Sequence, residues 1–279
     1  MLLTKIEYAP PRHHSDYPFN LPWQADFHEL TLTSPVTILT GDNGSGKSTL
    51  LNAIAANYNA ILMSGAALED DPEYDNSRAL ARHLKLTWTY RTKAGFFFRA
   101  DDFISFIRAT RGRIKYAQTQ LEHLAPQSLE RLPYLNTLSA IKHLYQVDLD
   151  TLSHGQAFLA LFRARLHANA LYLLDEPESP LTPENQLSLL ALIHTAVANG
   201  AQFIISTHSP ILMAYPDAQL LALGNTLAPV HYDQIDHITF LRNFLDDPQR
   251  FVYHLLNDHG VKFKWVISEQ TKRERIPSC

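Results

Sequence analysis

Apolar residues recur along this chain in two rhythms, which divide it into strands and helices. Leu3 to Tyr8, Glu29 to Leu32 and Val36 to Thr40 read as short strands. A loop over Gly41–Ser48 then leads into a helix from Thr49 to Tyr58. Residues 69–75 form an acidic, exposed loop. Leu84, Leu86, Trp88 and Tyr90 alternate with Lys85, Thr87, Thr89 and Arg91, the period-two pattern of a half-buried strand. Lys93-Ala94-Gly95 reads as a turn into a second strand, Phe96–Arg99, which predicts a hairpin. Asp101 or Asp102 is placed to cap a helix running toward Ala125, where Pro126 stops it. Gly155–Asn169 is a largely apolar helix. Leu171–Leu174 and Phe203–Ser206 are continuous apolar runs of the kind buried on both faces of a parallel sheet, with a helix from Pro183 to Asn199 between them. Leu220–Leu223 and Val230–Tyr232 read as two more strands, and helical segments fill most of 234–259. Alternating strands and helices predict an α/β fold with a mainly parallel sheet. Residues 1–259 are expected as one domain carrying an inserted helix-and-hairpin lobe at about 69–150. The 260–279 tail holds an alternation of Val261, Phe263 and Trp265 that would suit a short strand, and then frays.

Composition narrows the class without naming it. With 279 residues, 46% of them hydrophobic and 19% charged, the chain can bury a large core and is not of disordered composition. Lys and Arg total 24 against 28 Asp and Glu, a net charge of −4, so only a uniformly basic binder is excluded. The single cysteine, Cys279, allows neither an internal disulfide nor a cysteine zinc site. No apolar run approaches the ~18 residues of a membrane helix, and charge arrives too early at Lys5 for a signal peptide. A cytoplasmic location is the expectation.

The chemistry concentrates in four short stretches. Gly41-Asp42-Asn43-Gly44-Ser45-Gly46-Lys47-Ser48 matches the phosphate-loop pattern G-x-x-x-x-G-K-[ST], and it lies between a predicted strand and a predicted helix. Its glycines let backbone N–H groups curl around phosphate oxygens, and the helix N-terminus adds positive potential. Lys47 is expected at the β- and γ-phosphates and the Ser48 hydroxyl on Mg²⁺. Leu171–Leu174 runs into Asp175 and Glu176, which place one carboxylate to hold Mg²⁺ and the next to orient an attacking water. His208 follows the Phe203–Ser206 run, where an imidazole can bond a γ-phosphate or water. Ser153, Gly155 and Gln156 put a hydroxyl, a glycine and an amide at a helix start, which serves either as an anion site or as a helix cap.

In that order, Gly41–Ser48, Ser153–Gln156, Leu171–Glu176 and His208 resemble the ABC-type ATPases. The likeness is to the soluble branch with SMC-like and RecF-like DNA-repair ATPases, and within it to small stand-alone bacterial ATPases. It extends to Tyr17–Pro22, Gly95–Ala100 and Ser206–Leu212. The resemblance implies a P-loop NTPase fold, ATP and Mg²⁺ as cofactors, and two heads closing on ATP as a homodimer. In such a sandwich the Ser153, Gly155 and Gln156 signature would face the γ-phosphate held by the other subunit's Gly41–Thr49 loop, with Glu176 as catalytic base and His208 as switch histidine. Three departures stand out. His154 occupies a position that is commonly glycine, and Thr182 replaces a common Asp in the D-loop at 179–182. No Gln closes the Phe96–Ala100 strand, so Arg99, Asp101 or Asp102 is left to take its place. Phe19 and Trp23 are the candidates for stacking on adenine. The interval between Thr49 and Leu152 has no sustained heptads, so a compact lobe replaces a coiled-coil arm.

Residues 78–115 hold ten Lys and Arg, from Arg78 to Lys115, against Asp101 and Asp102, with aromatics interleaved. This makes DNA an expected partner. The alternatives are a sensor that docks a separate effector protein and the nucleotide-binding subunit of a transporter. No membrane insertion is expected.

Overall fold

Three pentapeptides with few polar side chains, Val36–Thr40, Leu171–Asp175 and Gln202–Ser206, are buried at every position, as strands covered on both faces must be. They anchor a computed structural model that describes residues 1–12, 16–64, 68, 74–145 and 152–257. The strands are β1 (Leu3–Tyr8), β2 (Glu29–Thr31), β3 (Val36–Thr40), β4 (Leu84–Trp88), β5 (Gly95–Arg99), β6 (Leu171–Asp175), β7 (Gln202–Ser206), β8 (Gln219–Leu223) and β9 (Leu227–Pro229). The helices are α1 (Lys47–Tyr58), α2 (Tyr74–Ala81), α3 (Ala100–His123), α4 (Leu132–Tyr145), α5 (His154–Ala164), α6 (Pro183–Ala198), α7 (Pro210–Met213), α8 (Asp236–Asp246) and α9 (Pro248–Asn257). One compact unit spans Met1–Tyr232 and a second begins at Asp233.

In the first unit a six-stranded sheet has the order β5-β6-β7-β3-β8-β9, parallel except for β9, which pairs antiparallel with β8. A three-stranded antiparallel sheet has the order β2-β1-β4. Helix α1 touches β4 of the small sheet and β6 and β7 of the large one. It is apolar almost all round, with Leu50, Leu51, Ala53, Ile54 and Ala55 buried, as a helix enclosed on two sides requires. Two glutamines join the sheets. The Gln202 carboxamide, fully buried on β7, accepts from the amides of Leu2 and Leu3 at 2.9 and 2.8 Å and donates to the Leu3 carbonyl at 2.8 Å. Gln219 of β8 accepts from the Thr33 amide and donates to the Thr31 carbonyl, both at 2.9 Å.

The large sheet packs differently on its two faces. Phe97, Leu171, Leu173 and Ile204 share a core with α1. Phe96, Phe98, Tyr172 and Phe203 meet Phe158 and Phe162 of α5, with ring centroids 4.9 Å apart for Phe98–Phe158 and 5.6 Å for Phe96–Phe162. Rings that each bury ~150–250 Å² make this layer the anchor of α5.

Several sequence expectations are corrected here. The predicted hairpin does not form: β4 pairs antiparallel with β1, and β5 pairs parallel with β6. Both strands are therefore built into the sheets, which leaves α3 and α4 as the long helices of the 69–150 interval. Neither Asp101 nor Asp102 caps α3; Arg99 is the N-cap residue, without a side-chain cap, and Asp102 pairs with its guanidinium. α5 ends at Ala164 rather than Asn169, whose φ of 52° lies outside a right-handed helix. The last strand is Leu227–Pro229, earlier than Val230–Tyr232, and α1 begins two residues before Thr49. Tyr74 and Asp75 open α2 rather than ending a loop. Residues 69–73, Thr151 and the 260–279 tail lie outside the described residues.

In the second unit, the rings of Phe240, Phe244 and Phe251 cluster with centroids 5.6–6.4 Å apart, and Arg242 pairs with Asp233 at 2.8 Å. Among the described residues no helix is long and apolar enough to cross a membrane.

Candidate functional site

The loop after β3 and the first turn of α1 form the floor of a cavity of about 770 Å³. Asn43, Gly44, Gly46, Lys47, Ser48 and Thr49 line it from the loop, and Tyr17, Leu21, Glu176 and His208 from around it. Gly46 has a φ of 94°, and a Cβ there would meet Leu21 Cδ1 at 2.7 Å and Trp23 Nε1 at 2.9 Å. Only glycine suits that position, so the loop turns there and brings its amides to the cavity. Trp23, fully buried, donates from its indole to the Ser45 carbonyl at 3.0 Å and braces the loop from behind. Lys47 Nζ donates to the carbonyls of Gly41 at 2.9 Å and Asp42 at 3.0 Å. Burial pushes its pKa below the ordinary lysine range, opposed by the charges of Glu176 and Asp175.

Asp175 ends β6 and accepts from the Ser48 hydroxyl at 3.0 Å, which ties the loop helix to the strand. Burial raises its carboxyl pKa, opposed by the hydrogen bond from Ser48. A hydroxyl and a buried carboxylate side by side form a hard oxygen-donor pair, which suits Mg²⁺ with its remaining positions filled by phosphate and water. No cluster of three or more His, Cys, Asp or Glu that could hold a metal occurs among the described residues. Glu176 has a φ of 49°, and its amide donates to the Ser206 carbonyl at 2.9 Å. The His208 backbone donates to Glu178 Oε1 at 2.7 Å. Burial raises the Glu178 pKa, opposed first by hydrogen bonding to Thr207.

The fold thus brings Asn43, Gly44, Gly46, Lys47, Ser48, Thr49, Glu176 and His208 to one cavity, with Asp175 bonded to Ser48. Gly41, Asp42 and Ser45 shape the loop through their carbonyls. Ser153, Gly155 and Gln156 are not among the lining residues. Ser153 and Gln156 instead form a reciprocal cap on α5: the Ser153 amide donates to Gln156 Oε1 at 3.0 Å and the Gln156 amide to Ser153 Oγ at 3.2 Å. Thr182 caps α6, accepting from the Asn185 amide. Trp23 is ruled out as an adenine platform by its complete burial, and Phe19 stands edge-on to His83 at 5.2 Å.

Sequence reasoning missed three residues. Tyr17 is 52% exposed at the cavity rim, with its hydroxyl 3.1 Å from Thr49 Oγ1. Glu178 holds the His208 backbone. Arg111, grouped with the basic stretch, donates to the Leu152 carbonyl at 2.7 Å beside the Ser153 cap. Of these, Tyr17 alone carried a signal, in the Tyr17–Pro22 stretch quoted above.

A phosphate loop at the end of a parallel strand, with an acidic pair at the end of another, defines a P-loop NTPase with an ABC ATPase fold. The ABC transporter family model matches residues 31–179, and the chain belongs to that family. ABC ATPases work with ATP and Mg²⁺, and the chain spans less than two thirds of the length of the first of its curated relatives. The chain is 30% identical over 182 residues to the cobalt import ATP-binding protein CbiO of Salmonella typhimurium, an alignment covering 63% of this chain and 62% of that protein. It is 28% identical to an uncharacterized ABC transporter ATP-binding protein of Haemophilus influenzae, covering 81% of this chain and 85% of the relative. The solved ATP-binding cassette MJ1267 of an ABC transporter is 18% identical, covering 89% of this chain and 97% of that one, with a TM-score of 0.47.

Proposed function

We propose that this chain hydrolyses ATP as the nucleotide-binding subunit of an ABC transporter, with two copies closing head to tail on ATP in the cytoplasm. The Ser48–Asp175 bond carries the reading of the site, because it joins the phosphate loop to the strand that delivers Glu176. The curated relatives, transporter ATP-binding proteins, support a membrane partner.

The chemistry follows from the residues. Lys47 would exchange the Gly41 and Asp42 carbonyls for β- and γ-phosphate oxygens, while the loop amides hold the rest of the phosphate chain. Ser48 and Asp175 would hold Mg²⁺, which would supply positive charge to the β- and γ-phosphate oxygens. Glu176 lines the cavity half-buried and would align a water for attack and take its proton. His208, its backbone fixed by Glu178, would donate to the γ-phosphate. Tyr17, at the cavity rim, would cover the base. Ser153, Gly155 and Gln156, away from this cavity, would complete the partner copy's site.

The basic stretch gives the SMC-like and RecF-like reading its own observation: Arg108, Arg113 and Lys115 are exposed on α3. Against it, Arg99 and Arg111 are engaged with Asp102 and the Leu152 carbonyl.

The test is the ATPase rate across protein concentrations, with and without linear duplex DNA. A rate rising more steeply than protein concentration and indifferent to DNA is expected; stimulation by DNA would favour the second reading. Lys47→Ala should abolish turnover. Glu176→Gln should hold Mg-ATP in a dimer, and a Glu176→Gln protein that stays monomeric in saturating Mg-ATP would contradict the sandwich.

A further inference from the structure

A second cavity, of about 590 Å³, opens at the end of α1 remote from the phosphate loop. The 12 residues of α1 separate the two ends by ~18 Å, at ~1.5 Å per residue. Tyr58, Ala60 and Ile61 line the cavity from the end of α1 and the chain that follows, and Arg91, Thr92 and Lys93 line it from the loop between β4 and β5. Hydrogen bonds pin that loop on both sides. The Thr89 amide donates to the Leu2 carbonyl at 2.8 Å, and the Ala94 carbonyl accepts from the Leu171 amide at 3.1 Å. Between them Thr92 Oγ1 accepts from the Ala94 amide at 3.0 Å, which leaves the hydroxyl proton to donate.

The chemistry of the lining selects an occupant. Arg91 and Lys93 are exposed, and neither is paired with a carboxylate among the described residues. No carboxylate lines the cavity. Two full positive charges outweigh the roughly half negative charge at the carbonyl end of a helix. The Tyr58 hydroxyl is buried without a hydrogen-bond partner, whereas a buried tyrosine hydroxyl ordinarily has one. Burial raises its pKa, so it keeps its proton and is a donor lacking an acceptor. The Tyr58 ring, Ala60 and Ile61 supply apolar wall. The volume lies in the ~300–1,000 Å³ range of small-molecule sites, more than a bare ion fills.

We propose that this cavity binds a small organic anion, a carboxylate or phosphate group carried on an apolar body. Arg91 and Lys93 take the charged group, Thr92 and Tyr58 donate to its oxygens, and the body lies against Ala60 and Ile61. The site shares no lining residue with the nucleotide cavity.

Calorimetric titration of the full chain with phenyl phosphate, benzoate and inorganic phosphate tests this, with excess Mg-ADP present to occupy the phosphate loop. At least one of the two aromatic anions should bind about tenfold tighter than inorganic phosphate, and the tighter of them assigns the charged group. Joint substitution Arg91→Gln and Lys93→Gln should weaken that anion about tenfold or more, the effect of losing charge-assisted hydrogen bonds. Tyr58→Phe, which keeps the ring, should weaken it about threefold. Retained Mg-ADP binding shows that a variant is folded, because these positions lie outside the nucleotide cavity. No binding of either aromatic anion up to about 10 mM, unchanged affinity in the doubly substituted protein, or inorganic phosphate binding as tightly as both would overturn the proposal. Unchanged affinity in Tyr58→Phe would overturn the part given to its hydroxyl.

Discussion

Glu176 shows how one residue's backbone can serve the chemistry. It precedes Pro177, which disfavours the right-handed helical conformation, and it adopts φ 49°, a region that costs a non-glycine residue of order 1 kcal/mol. The Ser206 carbonyl holds the amide there, and the carboxylate is left on the cavity wall. Its neighbour Asp175 carries a different cost. Burial raises the Asp175 pKa in the fold, so the ionised form is penalised relative to the unfolded chain. That penalty is absent below the ordinary aspartate range and grows as pH rises through the folded value. Asp175→Asn should therefore unfold at a higher temperature than wild type at pH 7.5 without nucleotide, and the gap should close as pH falls toward about 4. Thermal scans across that range check it; equal midpoints at pH 7.5 would contradict the burial argument.

At the level of elements, β5 depends on one position. Gly95 has a φ of 116°, and a Cβ there would stand 1.8 Å from the Leu171 carbonyl oxygen of β6. Gly95→Ala should cost upwards of about 3 kcal/mol, measured by chemical denaturation, because backbone must move to admit it. The same strand marks where sequence pattern stops informing. Apolar runs and motif spacing made β3, β6, β7, the phosphate loop and His208 legible, because each signal is local. The partner of β4 is not local: β1 lies some eighty residues earlier, and alternation in β4 reports a half-buried face without saying what lies alongside. A turn-like Lys93-Ala94-Gly95 therefore read as a hairpin. Arg111 and Glu178 were illegible for a related reason, since both act on backbone groups that carry no side-chain signature.

Across the first unit, cohesion between the sheets runs through buried amides as well as apolar packing. Gln202 satisfies two amides and one carbonyl of the Leu2–Leu3 segment from the middle of the large sheet. Gln202→Leu keeps the volume and strands those groups, so it should destabilise the fold by about 2–4 kcal/mol in urea denaturation. A loss under about 0.5 kcal/mol would show that the seam is held by packing alone. A largely apolar run gave no hint of this role, because a lone glutamine in such a run reads as a strand end.

The two bonds from Lys47 to Gly41 and Asp42 bear on how fast the protein can cycle. Any phosphate that draws the ammonium away must displace hydrogen bonds already satisfied inside the loop, so part of the gross attraction is cancelled at the moment of capture. The same bonds re-form as product departs and lower the barrier to its release. A loop that solvates its own lysine gives up tightness of phosphate capture for ease of release.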